Sequence, residues 1–408
     1  MHLETITELL HIPNYKVEKV IEITDESLHL EVIPKEIQSP VCSACMMIHD
    51  TKMHSRQEVV VEDMWMCDRR VFLHIVKRKS VCIEDETIRT EHIPELLGRN
   101  TKRFSEHIYR LTSITTNKEA GWFLGIDDEK VYRIDRTMLE DLAKEKLNPI
   151  SVPSKMSVDE VAWQKWHRYV TNVVDTETRM VIWNHQGRGK SVLDKFYHKL
   201  GKKNCEEIKA VASDGARGYL RSTREHTDAL IVLDHFHVKM YINNALDAVR
   251  KEELRKARKQ DNAELEGILH CNQRFIMMKN KPSKKKETIL ETLSRINQRV
   301  YEAILLKDQF LEVYAAPNKK TASSILRKWI VSAARSGMKP FIDLAEKFFR
   351  KRHYILNIFD HRISTAVSEG INNKIKRLRR MAYGYKDVHY FLLKIHQHCG
   401  LLNPKLST

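Results

Sequence analysis

Apolar and polar positions change their period several times along the chain. Residues 1–36 alternate, from Lys16 to Val20 and again through Leu28-His29-Leu30-Glu31-Val32-Ile33, as half-buried strands do. A cysteine-containing segment follows, from 41 to about 94. It carries two more strand-like runs, Val59-Val60-Val61 and Val71-Phe72-Leu73-His74-Ile75-Val76. From 102 to 147 the apolar spacing is helical, with no strand signal. Residues 155–240 then read as strand and helix in turn. Strands are predicted at 155–161, 169–174, 180–185, 208–213 and 229–233, with a helix at 191–200. A three-strand meander, a helix and further strands make a mixed α/β pattern. From 238 to about 350 the pattern is helical and strongly charged. It is interrupted at Lys279-Asn280-Lys281-Pro282-Ser283-Lys284-Lys285-Lys286, most simply a solvated basic loop and, more sharply, a phosphate contact. There is no internal repeat.

Composition narrows the function classes. A chain of 408 residues is expected to form two to four domains with sizeable cores. Lys+Arg 70 against Asp+Glu 54 leaves a net charge of +16, which favours a polyanionic partner, nucleic acid ahead of an anionic membrane. No apolar stretch approaches the length of a transmembrane helix. Met1-His2-Leu3-Glu4 lacks the basic region and apolar run of a signal peptide. The seven cysteines are odd in number and widely spread, which argues against a disulfide framework and for a reducing cytoplasm. Membrane, secreted and fibrous classes are thereby set aside.

Three of the predicted strands end in aspartate: Ser157-Val158-Asp159, Val211-Ala212-Ser213-Asp214 and Ile231-Val232-Leu233-Asp234. Singly, each is served as well by a turn or a helix cap, and Asp214-Gly215 looks like such a turn. Three within one α/β unit of a basic protein point instead to a site outside the carboxyl ends of the strands. Carboxylates without thiolate or a histidine cluster suit hard cations such as Mg²⁺ or Mn²⁺. A pair of such ions roughly 3.5–4 Å apart serves both oxygens of a phosphodiester displacement.

A further acid lies downstream, in Ser368-Glu369-Gly370-Ile371-Asn372-Asn373-Lys374-Ile375-Lys376-Arg377-Leu378-Arg379-Arg380. Helical spacing places Glu369, Asn373, Lys376 and Arg380 on one face, with Ile371, Ile375, Leu378 and Ala382 opposite, suited to packing on a sheet. One helix would then present a carboxylate to a metal and cations to phosphates along the same stripe.

Val158-Asp159-Glu160, Ser213-Asp214, Asp234-His235-Phe236-His237 and Glu369-Gly370-Ile371-Asn372-Asn373-Lys374-Ile375-Lys376 together resemble the bacterial insertion-sequence transposases of the "ISL-three" family. The ending Arg380-Met381-Ala382-Tyr383-Gly384-Tyr385 fits as well, and the resemblance covers roughly residues 40–395. It implies a ribonuclease-H-like Asp-Asp-Glu core, with Asp159, Asp214 and Glu369 as the catalytic carboxylates holding two Mg²⁺ or Mn²⁺ ions. A helical insertion would separate the second acid from the third. Asp234 competes with Asp214 for the second place. Asp214 is preferred because such cores carry their second ligand after the fourth strand, leaving Asp234 and His237 to support the site or the DNA.

Two modules precede that core. Cys42-x-x-Cys45 is half a zinc site. The family carries a second cysteine pair, and this chain keeps Cys82 but has Asp85 where the partner would stand; Cys67, His49 and His54 are possible substitutes. Zn²⁺ at Cys42, Cys45 and Cys82 is weighed against a small β domain that has lost its metal. Residues 117–136 look like a helix-turn-helix, with Gly121 in the first helix, Gly125 in the turn, Asp127 as a cap, and Leu124, Ile126, Val131 and Ile134 buried. Lys130, Arg133 and Arg136 would face DNA there, and Asn373, Lys374, Lys376, Arg377, Arg379 and Arg380 would face it on the distal helix.

The expected architecture is a multidomain α+β chain: a small β, zinc-finger-like module (1–95), a helix-turn-helix region (96–150) and the first part of the core (151–237). A helical insertion (238–363) and the core's completion with a basic end (364–408) follow. The expected function is DNA transposition, with binding of terminal inverted repeats followed by strand cleavage and transfer by a homodimer, in a nucleoid-associated, cytoplasmic setting. A catalytically inactive DNA-binding regulator and a hydrolase that cuts without joining are the alternatives.

Overall fold

The computed structural model describes residues 2–36, 39–48, 53–164, 168–270, 274, 277–278, 283–361, 363 and 366–406. Two compact units divide the chain: Met1–Glu145 with Asn403–Thr408, and Lys146–Leu402.

The first unit opens with helix α1 (Leu3–Leu10), where the alternating pattern predicted strand. Ile6 and Leu10, four residues apart, are both buried, and that helical pair prevails over the period-two reading. Strands β1 (Tyr15–Ile23), β2 (Ser27–Pro34), β3 (Met53–Met66), β4 (Arg69–Val81), β5 (Ile88–Thr90), β6 (Leu96–Leu97) and β7 (Asn100–Thr101) form one sheet. Its order is β1-β2-β4-β3-β7-β6, with β5 also on β4. The β3–β4 hairpin turns at Cys67-Asp68, both at positive φ, which matches the twist of its strands. Helices α2 (Lys102–Thr112), α3 (Asn117–Leu124) and α4 (Asp128–Lys146) follow. A capping box of Thr116 and Glu119 starts α3, and Gly125 ends it at φ 58. A Cβ on Gly121 would lie 2.7 Å from the Ile126 carbonyl oxygen, so the turn into α4 closes only over glycine.

The second unit is built on strands β8 (Lys155–Gln164), β9 (Arg168–Asp175), β10 (Met180–Gln186), β11 (Ala210–Ser213) and β12 (Leu230–Leu233). The order is β10-β9-β8-β11-β12. β8, β9 and β10 form an antiparallel meander, and β11 pairs parallel to both β8 and β12. On one face pack α5 (Lys190–Leu200) and α7 (Arg217–His226), with the short α6 (Lys202–Cys205) between them in sequence. Met156, Val158, Val173, Ile182, Leu193, Phe196 and Tyr219 fill that interface.

A helical segment follows β12 in the chain. It comprises α8 (His235–Lys259), α9 (Ala263–Leu269), α10 (Lys284–Ile296), α11 (Gln298–Ala315), α12 (Lys319–Arg335) and α13 (Lys339–Leu356), sharing one apolar cluster around Phe310, Trp329 and Phe348. The basic run expected as a solvated loop is partly helix. Ser283 caps α10, and Lys286 is buried, its ammonium bound to Asp308 at 2.7 Å, because a buried charge needs a partner. Lys279 to Pro282 lie outside the described residues. Finally α14 (Ala366–Met381) and α15 (Val388–Cys399) cover the other face of the sheet, where Ile371, Ile375, Leu378, Phe391 and Ile395 meet Val161, Trp163 and Val170. No helix among the described residues is long and apolar enough to cross a membrane.

Candidate active site

Strand register sets the acids in a row. On β11, Ala212 lies opposite Ser157 of β8 and Val232 of β12. Two residues beyond each stand Asp214, Asp159 and Asp234. All three segments run parallel, so these side chains share one level of the sheet at about 4.8 Å per strand. Asp234 is buried and the other two are half-buried. Each also does local work: Oδ1 of Asp234 accepts from the Phe236 amide, Oδ1 of Asp214 from Ala216 and Oδ1 of Asp159 from Glu160, all at 2.8 Å. The turn and cap roles therefore coexist with their alignment across the sheet.

α14 runs along β8 with matched rise. Ser368 Oγ lies 2.5 Å from Ser157 Oγ, Asn372 Nδ2 donates to Asp159 Oδ2 at 2.6 Å, and Arg379 Nη1 donates to the Ala162 carbonyl at 2.6 Å. From Ser368 to Asn372 the helix climbs about 6 Å, and from Ser157 to Asp159 the strand climbs about 6.6 Å. Glu369 follows Ser368 on this helix and is exposed. Its charge, with that of Asp234, acts on His235, whose imidazole is nonetheless held below its ordinary value by burial and by Lys239.

His237, on the first turn of α8, stands between two acids. Its Nε2 is 3.9 Å from Asp159 Oδ2 and 3.8 Å from Asp234 Oδ2. The Asp159 carboxylate lifts this imidazole above its ordinary value despite burial, and Asp234 and Asp214 add to the effect. A cation in this place offsets the repulsion of neighbouring carboxylates. The Asp214 loop is fixed from α13, where Lys351 Nζ donates to the Gly215 carbonyl at 2.5 Å. Gly215 turns the chain at φ 78, a left-handed conformation that favours glycine.

Oxygen donors abreast on a rigid sheet fit a hard divalent cation by donor chemistry. They are an open row rather than a closed cage. Among the described residues, the three-residue set whose ligand atoms all lie within 4.8 Å of one another is Cys42, Cys45 and Cys82.

The cations foreseen for DNA fall into two groups. Asn373, Lys374, Lys376, Arg377 and Arg380 are exposed on α14, whereas Arg379 is half-buried against Ala162. In the first unit Lys130 is paired with buried Glu62, Arg136 with Glu140 at 2.8 Å, and Arg133 Nε reaches the Glu129 carbonyl at 3.4 Å. Asn372 was missed beside Asn373. Both stand at helical spacing from Glu369, and only the packing of Ile371 and Ile375 on the sheet turns Asn372 inward.

The cysteine set is built from two matching knuckles. Cys42 donates its amide to the Met47 carbonyl (2.9 Å) and accepts at its own carbonyl from Met46 (3.0 Å); Cys82 does the same with Thr87 (2.8 Å) and Glu86 (3.0 Å). Met46 and Glu86 both adopt positive φ, at 61° and 55°. Asp85 therefore occupies in the second knuckle the place Cys45 holds in the first. Its carboxylate accepts from Thr87 and Arg89, which keep it well below the usual carboxylate range. Backbone amides of Cys45 and Ala44 hold the Cys42 thiol down to about 6, while burial pushes Cys45 up. Cys67 sits exposed in the far β3–β4 turn, and His54 bonds Ser55, so neither joins the set. His49 lies outside the described residues.

Comparisons with known proteins give the family. A family model described as "Transposase" matches residues 156–395, spanning the five-stranded sheet, the helical segment and α14. The chain is 28% identical over 376 residues to the transposase for insertion sequence element IS1001 of Bordetella parapertussis, covering 90% of each. It is 27% identical over 254 residues to the transposase for insertion sequence element IS1557 of Mycobacterium tuberculosis, covering 57% of each. The chain belongs to the "ISL-three" family of insertion-sequence transposases.

Proposed function

We propose that this chain is a DNA transposase with a ribonuclease-H-like catalytic core, in which Asp159, Asp214 and Glu369 would hold two Mg²⁺ or Mn²⁺ ions. The observation that carries this reading is the row of Asp159, Asp214 and Asp234 across three parallel segments, tied through Asn372 to the helix that carries Glu369. The 3-2-1-4-5 order of the sheet, with a helix between its third and fourth strands, supports the fold assignment. When bound, the ions activate the attacking oxygen and stabilise the leaving oxygen of the scissile phosphodiester.

The protein's own groups do the rest. Asn372 fixes the rotamer of Asp159, and Lys351 holds the backbone that presents Asp214. His237, between Asp159 and Asp234, balances the charge of the row. Lys374, Lys376, Arg377 and Arg380 bind backbone phosphates and lay the DNA along α14. The reaction is strand cleavage by water and then attack of the freed 3′-hydroxyl on target DNA. It requires no serine or tyrosine nucleophile, and the cut end stays bound between the steps.

In the first unit, α3 and α4 would read the terminal inverted repeats. The three thiolates of Cys42, Cys45 and Cys82, set on paired knuckles, fit a zinc ion that would brace the β module. Two copies would join two element ends, in a nucleoid-associated, cytoplasmic setting. The test is incubation of the purified protein and Asp159→Asn with labelled DNA carrying the element's ends, in Mg²⁺ or Mn²⁺. Cleaved and joined products from the wild type alone support the reading, and salt-sensitive binding without cleavage by either protein refutes it.

A further inference from the structure

Tyr383 has no role in the chemistry above, and the fold does not account for it. Its side chain is fully exposed, at 101% of the reference value. Its backbone is left-handed, at φ 51, a region that favours glycine over any residue with a Cβ. The residue ends α14. Gly384 N donates to the Arg379 carbonyl at 2.9 Å and Tyr383 N to the Arg380 carbonyl at 3.1 Å, a helix end whose left-handed position is normally glycine. Here glycine comes one residue later, at Gly384. Neighbouring Tyr385 behaves as a structural ring, packed 4.7 Å from Phe391. Tyr383 is thus a large aromatic held out in solvent on a strained turn.

Its surroundings indicate a ligand. The exposed face of α14 runs from Glu369 through Lys376, Arg377 and Arg380 to this tip. At 1.5 Å per residue, Tyr383 lies about 20 Å along the helix from Glu369, roughly six base-pair steps of a strand laid along it. Duplex DNA offers phosphates and base edges to such a surface. A ring at the tip of a turn meets the face of a base only where that base has left its stack.

We propose that Tyr383 is a stacking platform for an unpaired base of the DNA strand lying along α14, so that the protein prefers DNA with an opened or single-stranded end. This rests on the DNA-transferase reading above. The phosphates on either side of that base would be held by Arg377 and Arg380, and stacking would tolerate any base sequence.

The experiment uses the full chain and two probes: a blunt duplex, and the same duplex with a short 3′ overhang carrying 2-aminopurine. The wild type is expected to bind the overhang more tightly and to change the 2-aminopurine fluorescence. Tyr383→Gly should lose roughly tenfold of that preference, yet unfold at a higher temperature because the strained position is relieved. Tyr383→Phe should keep the preference. Equal preference in wild type and Tyr383→Gly, or none in the wild type, overturns the inference while leaving duplex binding intact. A lower unfolding temperature for Tyr383→Gly overturns it too, since the ring would then serve the fold. Failure to bind either DNA overturns the transferase reading as well.

Discussion

Asn372 donates from Nδ2 to Oδ2 of Asp159 at 2.6 Å, a bond between the helix that carries Glu369 and the strand that carries the first acid. It fixes one oxygen of Asp159 while the other accepts from Glu160 N. A hydrogen bond to a charged group contributes about 1.5–3 kcal/mol. Asn372→Ala should therefore cut the yield of joined DNA by at least about tenfold, with all carboxylates still present. Gel assays of joined product beside circular dichroism separate lost alignment from lost folding; an active Asn372→Ala protein would deny the bond a role.

Binding to DNA should weaken linearly in log salt, with a slope that falls by about 0.9 for each phosphate contact removed. Substituting Lys376, Arg377 or Arg380 by alanine is expected to lower that slope. Arg379→Ala should instead lower the unfolding temperature and leave the slope unchanged, because its guanidinium is bound to the Ala162 carbonyl. Fluorescence anisotropy titrations across salt concentrations read both outcomes.

Acid should destabilise the second unit through α15. Burial pushes His396 and His398 down to about 4. The unfolded chain takes up these protons near pH 6.5, and the folded chain holds them off until about 4. Their contribution is therefore complete above 6.5 and is lost as pH falls from 6.5 toward 4, at up to about 3 kcal/mol each. Thermal unfolding followed across that window should show the fall, and His396→Asn should flatten it. An unchanged profile in that variant would contradict the assignment.

Chelation should act on the first unit. With metal removed, or with Cys82→Ser, the unfolding temperature of the β module is expected to drop. Co²⁺ substitution should give the thiolate charge-transfer band of a three-sulfur site. Asp85→Cys, which restores sulfur at the matching knuckle position, should strengthen that band and tighten binding; no band in the wild type would mean that the knuckles stand without metal.

Much of this was legible before the structure because the signals were local. Period-two runs, the aspartates that follow β11 and β12 and the helical stripe around Glu369 each depend on residues a few positions apart, whereas Asp159, read as a strand end, lies inside β8, which runs on to Gln164. The missed features depend on distant partners. Lys286 looked like a loop lysine until Asp308 closed on it, and the bond from Arg379 to a carbonyl of β8 has no signature in the local spacing. Asn372 and Asn373 satisfy the same helical rule, and only the sheet beneath them chooses. The equivalence of Asp85 with Cys45 lies in backbone hydrogen bonds, which no side-chain pattern records.

In the proposed mechanism Asp214, with Asp159 and Glu369, performs the chemistry, while Asp234 supports it. The most direct measurement is the yield of cleaved and joined DNA from the wild type, Asp214→Asn, Glu369→Gln and Asp234→Asn in Mg²⁺ and in Mn²⁺, each protein first shown to bind the element's ends. The account predicts no product from Asp214→Asn or Glu369→Gln, and reduced but measurable product from Asp234→Asn. Product from Asp214→Asn with none from Asp234→Asn would contradict it and move the second catalytic acid to β12.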